Sequence, residues 1–324
     1  MKVVIPDDYQ DCVRTLSCYA KLAGHDVTIH RDTAKSIDAL AERFAEAEAL
    51  VLTRERTRLT AALLDRLPKL RLVSQTGKIA GHVDVEACTA RGIVVADGSG
   101  AGSATAELAW ALALASRRSL VSEVNRLRGG EWQGHLGQQL SGQRLGVWSY
   151  GRIGKQVANY GRAFGMQVWV WGREASTAAA RADGYEVAPS REAFFAESDV
   201  VSMHVRLIAE TRGLVTADDL GRMKPGALLV NTSRAELIAE GALVDALKRG
   251  RPGFGAVDVF EEEPILGAAH PLLALPNALC TPHIGYVEKD NYERYFGTAF
   301  DNINRFADGT LTEAVNPAAL NARR

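Results

Sequence analysis

The chain is short of several things. It has four cysteines, Cys12, Cys18, Cys88 and Cys280, in 324 residues. None stands in a Cys-x-x-Cys pair or in a Cys/His cluster, so neither a disulfide framework nor a zinc site is expected, and no metal is assigned. So few cysteines fit a reducing compartment, which places the protein in the cytoplasm. Charge of one sign is also lacking: 38 Lys and Arg stand against 39 Asp and Glu, a formal net charge of −1. No basic excess points to nucleic acid or to an anionic membrane as partner. Long hydrophobic runs are missing too. The most apolar stretch, AELAWALALA, carries Glu107 and is too short to span a bilayer. The opening residues, MKVVIPDDYQ, lack the apolar run of a signal peptide.

What the chain has in quantity is alternation. KVVI, HDVTIH, ALVLT, RLVSQT and GIVVA read as strands, and SIDALAERFAEAEA, TAALLDRL and DVEACTARG between them read as helices. The pattern predicts one long helix from Ser103 to about Arg128, with Ser103 as N-cap and Gly129-Gly130 as the stop. A second block follows, with strands LGVWS, MQVWVWG, SDVVSMH, ALLVNTS, GAVDVF and ALCTPH, a helix over GRIGKQVANYGRAFG, and a last helix from about Glu288 to Phe306. The expectation is an α/β protein of two doubly wound parallel-sheet domains, a substrate-type domain and then a nucleotide-type domain.

Two further absences sit in the second block. GVWSYGRIG is a Gly-x-Gly-x-x-Gly turn without its first glycine: Ser149 stands there, and Gly151 and Gly154 hold the second and third places. In such a turn the second glycine lets the backbone approach a pyrophosphate, and the third lets the helix pack on the sheet. Amides at the helix start then face the phosphates. Ser149 keeps a small side chain and leaves that approach open. The plain alternative is an ordinary Gly-rich strand-to-helix turn. The acid that usually closes the second strand and bonds the ribose of NAD is also missing, and WVWGRE places Gly172 and Arg173 there. A small residue and a guanidinium suit a 2′-phosphate. The cofactor is therefore NAD(P)(H), with NADP(H) favoured and NAD(H) not excluded; in the alternative, Arg173 is solvated and Glu174 bonds the ribose.

Ligands of such sheets lie beyond the carboxyl ends of the strands. There ALLVNTSR delivers Thr232, Ser233 and Arg234, GAVDVFEEEP delivers Asp258 and Glu263, and ALCTPHIG delivers His283 and Gly285. A guanidinium can clamp a carboxylate and polarise a carbonyl. An imidazole can pass a proton at neutral pH, and a carboxylate can orient it. Each residue alone has a bland explanation, a local pair, a solvated acidic loop or a loop histidine. The three together at successive strand ends favour hydride exchange at an α-keto or α-hydroxy acid. His204, ending SDVVSMH, is the best placed of the other histidines.

These segments resemble the D-isomer-specific 2-hydroxyacid dehydrogenase family. GVWSYGRIG, SDVVSMHVRLIAETRGLV, MKPGALLVNTSRAELI, GAVDVFEEEP and TPHIG occur in the family's order, and LVSQTGKIAGHVDVEACTARGIVVADGSGAGSATAELAWALAL is similar to its substrate-domain segment. The resemblance implies Arg234 as the clamp on substrate carboxylate and carbonyl, His283 as general acid/base and Glu263 as its partner. It implies that backbone amides around Gly77, Lys78 and Ile79 hold the carboxylate. Thr105, Gly151, Arg152, Ile153, His204, Thr232, Asp258 and Gly285 would line the cofactor cleft, with Ser149, Tyr150, Gly172, Arg173, Val205, Arg206 and Ser233 completing the set. It further implies a flavodoxin-like substrate domain of residues 1–101 with about 290–324, a Rossmann domain of residues 102–289, and a homodimer formed through the helix starting near Ser103. The substrate would be a small 2-keto or 2-hydroxy acid. Arg206 departs from the family pattern, where proline is common. A dinucleotide-sensing protein like the C-terminal-binding-protein corepressors is the alternative on the same fold.

Overall fold

The structure is a computed structural model that describes residues 1–98 and 100–322. Ser99, Arg323 and Arg324, all within the range expected for the first domain, lie outside the described residues. The chain forms two compact units, Met1–Ala101 with Glu288–Arg324, and Gly102–Val287.

The first unit holds five parallel strands: β1 (Lys2–Ile5), β2 (Asp26–Ile29), β3 (Ala49–Leu52), β4 (Leu72–Gln75) and β5 (Val94–Ala96). Their order is β2-β1-β3-β4-β5, the flavodoxin-like winding. Leu50, Leu52, Val73 and Val95 pack with Phe44, Leu63 and Leu67 on one face. Helix Lys289–Ala307 packs against β4, where Ser74 Oγ donates to Ala299 O at 2.9 Å. Its Glu293 carboxylate accepts the backbone N–H of Cys18 at 2.9 Å. The segment after it closes the free edge of β5: Val315 N–H donates to Val95 O at 2.7 Å, and Asn316 Oδ1 accepts Val95 N–H at 2.8 Å.

The second unit holds seven parallel strands: β6 (Arg144–Trp148), β7 (Gln167–Trp171), β8 (Glu186–Val187), β9 (Val200–Met203), β10 (Leu228–Asn231), β11 (Phe254–Val257) and β12 (Ala278–Cys280). Their order is β12-β11-β10-β9-β6-β7-β8. Adjacent strand residues point to opposite faces, and both faces are buried. Val147, Val170, Val200 and Val230 enter one apolar cluster, while Trp148, Trp169, Val201 and Leu229 enter another. Continuous apolar runs rather than strict alternation are the sequence mark of such a two-sided sheet. The edge strand β8 has two residues, too few to leave a period in the sequence.

The single long helix expected from Ser103 to Arg128 is two helices, Ser103–Arg117 and Leu120–Arg128. Arg117 explains where the first one stops. Its guanidinium is buried and donates to Gln138 Oε1 at 2.6 Å, Gln143 Oε1 at 3.0 Å and Asp199 O at 2.7 Å. Ser119 then takes a left-handed φ of 49° and redirects the chain. Ser103 is the first helical residue rather than the cap: Gly102 is the N-cap and makes no side-chain cap bond.

Candidate active site

The turn after β6 carries the missing glycine. Ser149 has a φ of 78°, a conformation that costs a side-chain-bearing residue about 1 kcal/mol. Its N–H donates to Trp171 O at 2.7 Å, which ties the turn to the end of β7. A Cβ on Gly154 would lie 2.1 Å from Ser149 O, so helix Arg152–Ala163 approaches the turn as closely as only glycine allows. None of the described residues lies within 4 Å of where a Cβ on Gly151 would stand. The amides of Arg152 and Ile153 open the helix, where backbone donors have no intrahelical acceptor. β6 lies between β7 and β9, the point at which strand order reverses and ligands of such sheets bind.

Two buried polar atoms at neighbouring strand ends have no hydrogen-bond partner among the described residues: Nδ1 of His204 after β9 and Oγ1 of Thr232 after β10. Orphaned atoms of this kind fit a ligand that supplies the partners. Together with the open cradle at Gly151 they fit a dinucleotide. His204 keeps part of its surface open, but its Nδ1 is sealed, and burial pulls the imidazole down to about 4. It is therefore neutral at physiological pH. Ser233 Oγ donates to Met203 O at 2.8 Å and joins the ends of β9 and β10. Val205 packs on the Trp148 cluster, whereas Arg206 is exposed and its carbonyl accepts from Thr211 Oγ1 at 2.8 Å. Gly172 faces Ser149 Cα, and Arg173 is the exposed N-cap of helix Glu174–Ala182.

β10, β11 and β12 are sheet neighbours, so Arg234, Glu263 and His283 follow adjacent strands. His283 Nδ1 and Glu263 Oε2 are 2.5 Å apart. With Nδ1 facing the carboxylate, Nε2 is the nitrogen left for a substrate. Glu263 is itself fixed, since Oε1 accepts Phe260 N–H at 2.9 Å. The Tyr286 ring meets the imidazole edge to face at 5.6 Å. Arg234 is set by Asn231, a buried residue at the end of β10 whose Nδ2 donates to Arg234 O at 2.9 Å and whose Oδ1 accepts Ser233 N–H at 3.0 Å.

Asp258 is less a wall of the cleft than a clasp on the His283 loop. Oδ1 accepts from Thr281 Oγ1 at 2.6 Å and from Ile284 N–H at 2.8 Å, and Oδ2 accepts Gly285 N–H at 2.7 Å. Burial pushes its carboxyl above the usual carboxylate range, against the pull of these hydrogen bonds and of His283. Thr105 Oγ1 adds a donor to Gly285 O at 2.9 Å. Reading the sequence missed the parts played by Phe260, Asn231 and Tyr286. Phe260 reaches Glu263 through its main-chain amide and Tyr286 meets His283 by its ring, and neither contact leaves a signal; an asparagine closing an apolar strand before Arg234 was the available clue.

In the first unit, Gly77, Lys78 and Ile79 follow β4. Gly77 O accepts Gly98 N–H at 3.0 Å. Lys78 Nζ pairs with Asp97 Oδ1 at 2.8 Å, and Ile79 N–H donates to Asp97 Oδ2 at 3.3 Å.

Residues 110–285 match the D-isomer specific 2-hydroxyacid dehydrogenase, NAD binding domain. The chain belongs to the D-isomer-specific 2-hydroxyacid dehydrogenase family. A glyoxylate reductase of Aeropyrum pernix is 38% identical over 85% of this chain and 84% of its own. A solved chain from Ralstonia solanacearum is 52% identical over 98% of both chains, with a TM-score of 0.96. A phosphoglycerate oxidoreductase of Vibrio cholerae is 49% identical over 95% of this chain and 99% of its own, with a TM-score of 0.93. As a 2-hydroxyacid dehydrogenase the chain is an oxidoreductase with an NAD-binding domain. Among the described residues no helix is long and apolar enough to cross a membrane, and no group of His, Cys, Asp and Glu could hold a metal ion.

Proposed function

We propose that this dehydrogenase interconverts a small 2-keto acid and the D-2-hydroxy acid, with His283 as the proton-transfer residue. The observation that carries this reading is the 2.5 Å pair of His283 Nδ1 and Glu263 Oε2 on a loop clasped by Asp258. When bound, a reduced nicotinamide supplies the hydride that the carbonyl carbon accepts. His283 gives the proton from Nε2 to the carbonyl oxygen, so the C=O bond becomes a C–O–H. Glu263 orients the imidazole and stabilises its cationic form before that transfer. Arg234 binds the carboxylate and polarises the carbonyl. Amides of the Gly77–Ile79 segment are assigned to the carboxylate. Of these, the Ile79 N–H is already spent on Asp97.

The cofactor-binding set is Thr105, Ser149, Tyr150, Gly151, Arg152, Ile153, Gly172, Arg173, His204, Val205, Arg206, Thr232, Ser233, Asp258 and Gly285. The small Gly172 and the exposed Arg173 favour a 2′-phosphate, hence NADP(H). The unit Met1–Ala101 with Glu288–Arg324 is assigned to substrate, and Gly102–Val287 to the cofactor. A second copy of the chain is assigned to the helical stretch that starts near Ser103, on whose second helix, Leu120–Arg128, Leu120, Val121, Val124 and Leu127 are exposed, with Trp132 and Leu136 beyond it. The work is placed in the cytoplasm.

The test is consumption of NADPH or NADH with glyoxylate, hydroxypyruvate and 3-phosphohydroxypyruvate. Turnover that survives His283→Ala in full overturns the proton-transfer assignment. Cofactor-dependent capture of a partner without turnover on any keto acid would favour the corepressor-like reading.

A further inference from the structure

Ser149 keeps a left-handed backbone without being glycine, and the residue after it is held from outside the turn at two points. Tyr150 N–H donates to Ser176 Oγ at 2.5 Å, in the first turn of helix Glu174–Ala182. The Tyr150 hydroxyl donates to Asp183 Oδ2 at 2.8 Å, at the far end of the same helix. Asp183 Oδ2 also pairs with Lys155 Nζ at 2.7 Å on the helix that the turn opens. The Tyr150 ring is buried and packs on Tyr185 at 5.5 Å between centroids. Ser176 is also the side chain that a Cβ on Gly172 would meet first, at 3.2 Å.

A non-glycine residue in the left-handed region persists only where its surroundings over-determine it. Here the surroundings add side chains to the backbone bond between Ser149 N–H and Trp171 O. We infer that Ser176, acting through the Tyr150 amide, is a positioning residue that holds the Ser149–Gly151 turn in its dinucleotide-binding shape and makes up for the missing glycine. The bond joins the pyrophosphate turn to the segment that closes β7, so both halves of the dinucleotide site move as one. This rests on the reading of the turn as the cofactor site.

The experiment is titration of the full-length protein with NADPH and with NADH, without substrate, followed by fluorescence. Four proteins are compared: wild type, Ser176→Ala, Ser149→Gly and the double variant. Ser176→Ala weakens binding by about three- to tenfold, the range a single hydrogen bond spans, and raises the cofactor KM while kcat holds. In the Ser149→Gly background the same change costs less than about twofold, because glycine takes the left-handed φ without help. Ser176→Thr, which keeps the hydroxyl, restores binding. Equal binding by wild type and Ser176→Ala overturns the inference. So does an equal loss in both backgrounds, which would detach the bond from the strain at Ser149. A wild type that binds neither nucleotide sinks the cofactor reading itself, a result separable from either of these.

Discussion

Asp258 holds the backbone on which His283 stands. Its carboxylate accepts the N–H groups of Ile284 and Gly285, the two residues that follow the imidazole. His283 itself has a left-handed φ of 50°, a shape the clasp maintains. Asp258→Ala is therefore expected to lower kcat by about 100-fold through lost alignment. Steady-state kinetics with saturating cofactor checks this, with circular dichroism confirming the fold.

Glu263→Gln removes the charge beside His283 but leaves a side chain of the same size. The imidazolium then loses its stabilising partner, and kcat should fall by about 10²-fold, with His283→Ala falling by about 10²- to 10⁴-fold. The two changes combined should cost little more than His283→Ala alone, because the carboxylate acts through the imidazole. Measured rates for the three variants decide this.

Arg173→Ala tests cofactor choice. A guanidinium on a 2′-phosphate predicts a roughly tenfold loss in kcat/KM with NADPH and little change with NADH. Equal efficiency with both cofactors, unmoved by the substitution, removes the preference.

His204 makes stability depend on pH. Its imidazole is pulled from an ordinary 6.5 to about 4 by burial. The unfolded chain accepts a proton there before the folded one does, so the stabilisation is complete above about 6.5 and is lost as pH falls toward about 4. The full loss is up to about 3 kcal/mol. Urea unfolding at about pH 7 and about pH 5 should show the drop, and His204→Gln should flatten part of it.

Leu127→Glu places a charge on the apolar face of helix Leu120–Arg128, where Leu127 is exposed. Under the proposed pairing of two copies on this face, light scattering should show a dimer in the wild type and a monomer in the variant, while the thermal midpoint of the isolated chain changes little.

Much of this was readable from the residues, for physical reasons. Strands buried on both faces must be mostly apolar, so VVSM and LLVN declare themselves, and the polar residues that follow such runs mark the carboxyl edge of the sheet. The placement of Arg234, Glu263 and His283 after neighbouring strands was legible that way. The break at Ser119 was not, because its cause is a buried Arg117 whose acceptors lie far along the chain, at Gln138, Gln143 and Asp199. The Asp258 clasp was not legible either. It depends on β11 and β12 being paired in register, Val257 opposite Cys280, which brings Asp258 and Thr281 side by side. The brace at Tyr150 needs Ser176 and Asp183 at the two ends of one helix, and no motif marks that spacing.

The closure of the first sheet by late residues has a consequence for how the protein is made. β4 receives its Ser74–Ala299 bond, and β5 its Asn316 cover, only from residues beyond 287. Residues 102–287 are continuous and carry every strand of their own sheet. During synthesis residues 2–98 leave the ribosome before residues 288–322 and must wait, with the edge of β5 still open to chance pairing, until those have been translated. The first sheet is therefore closed only after every strand of the second has been made.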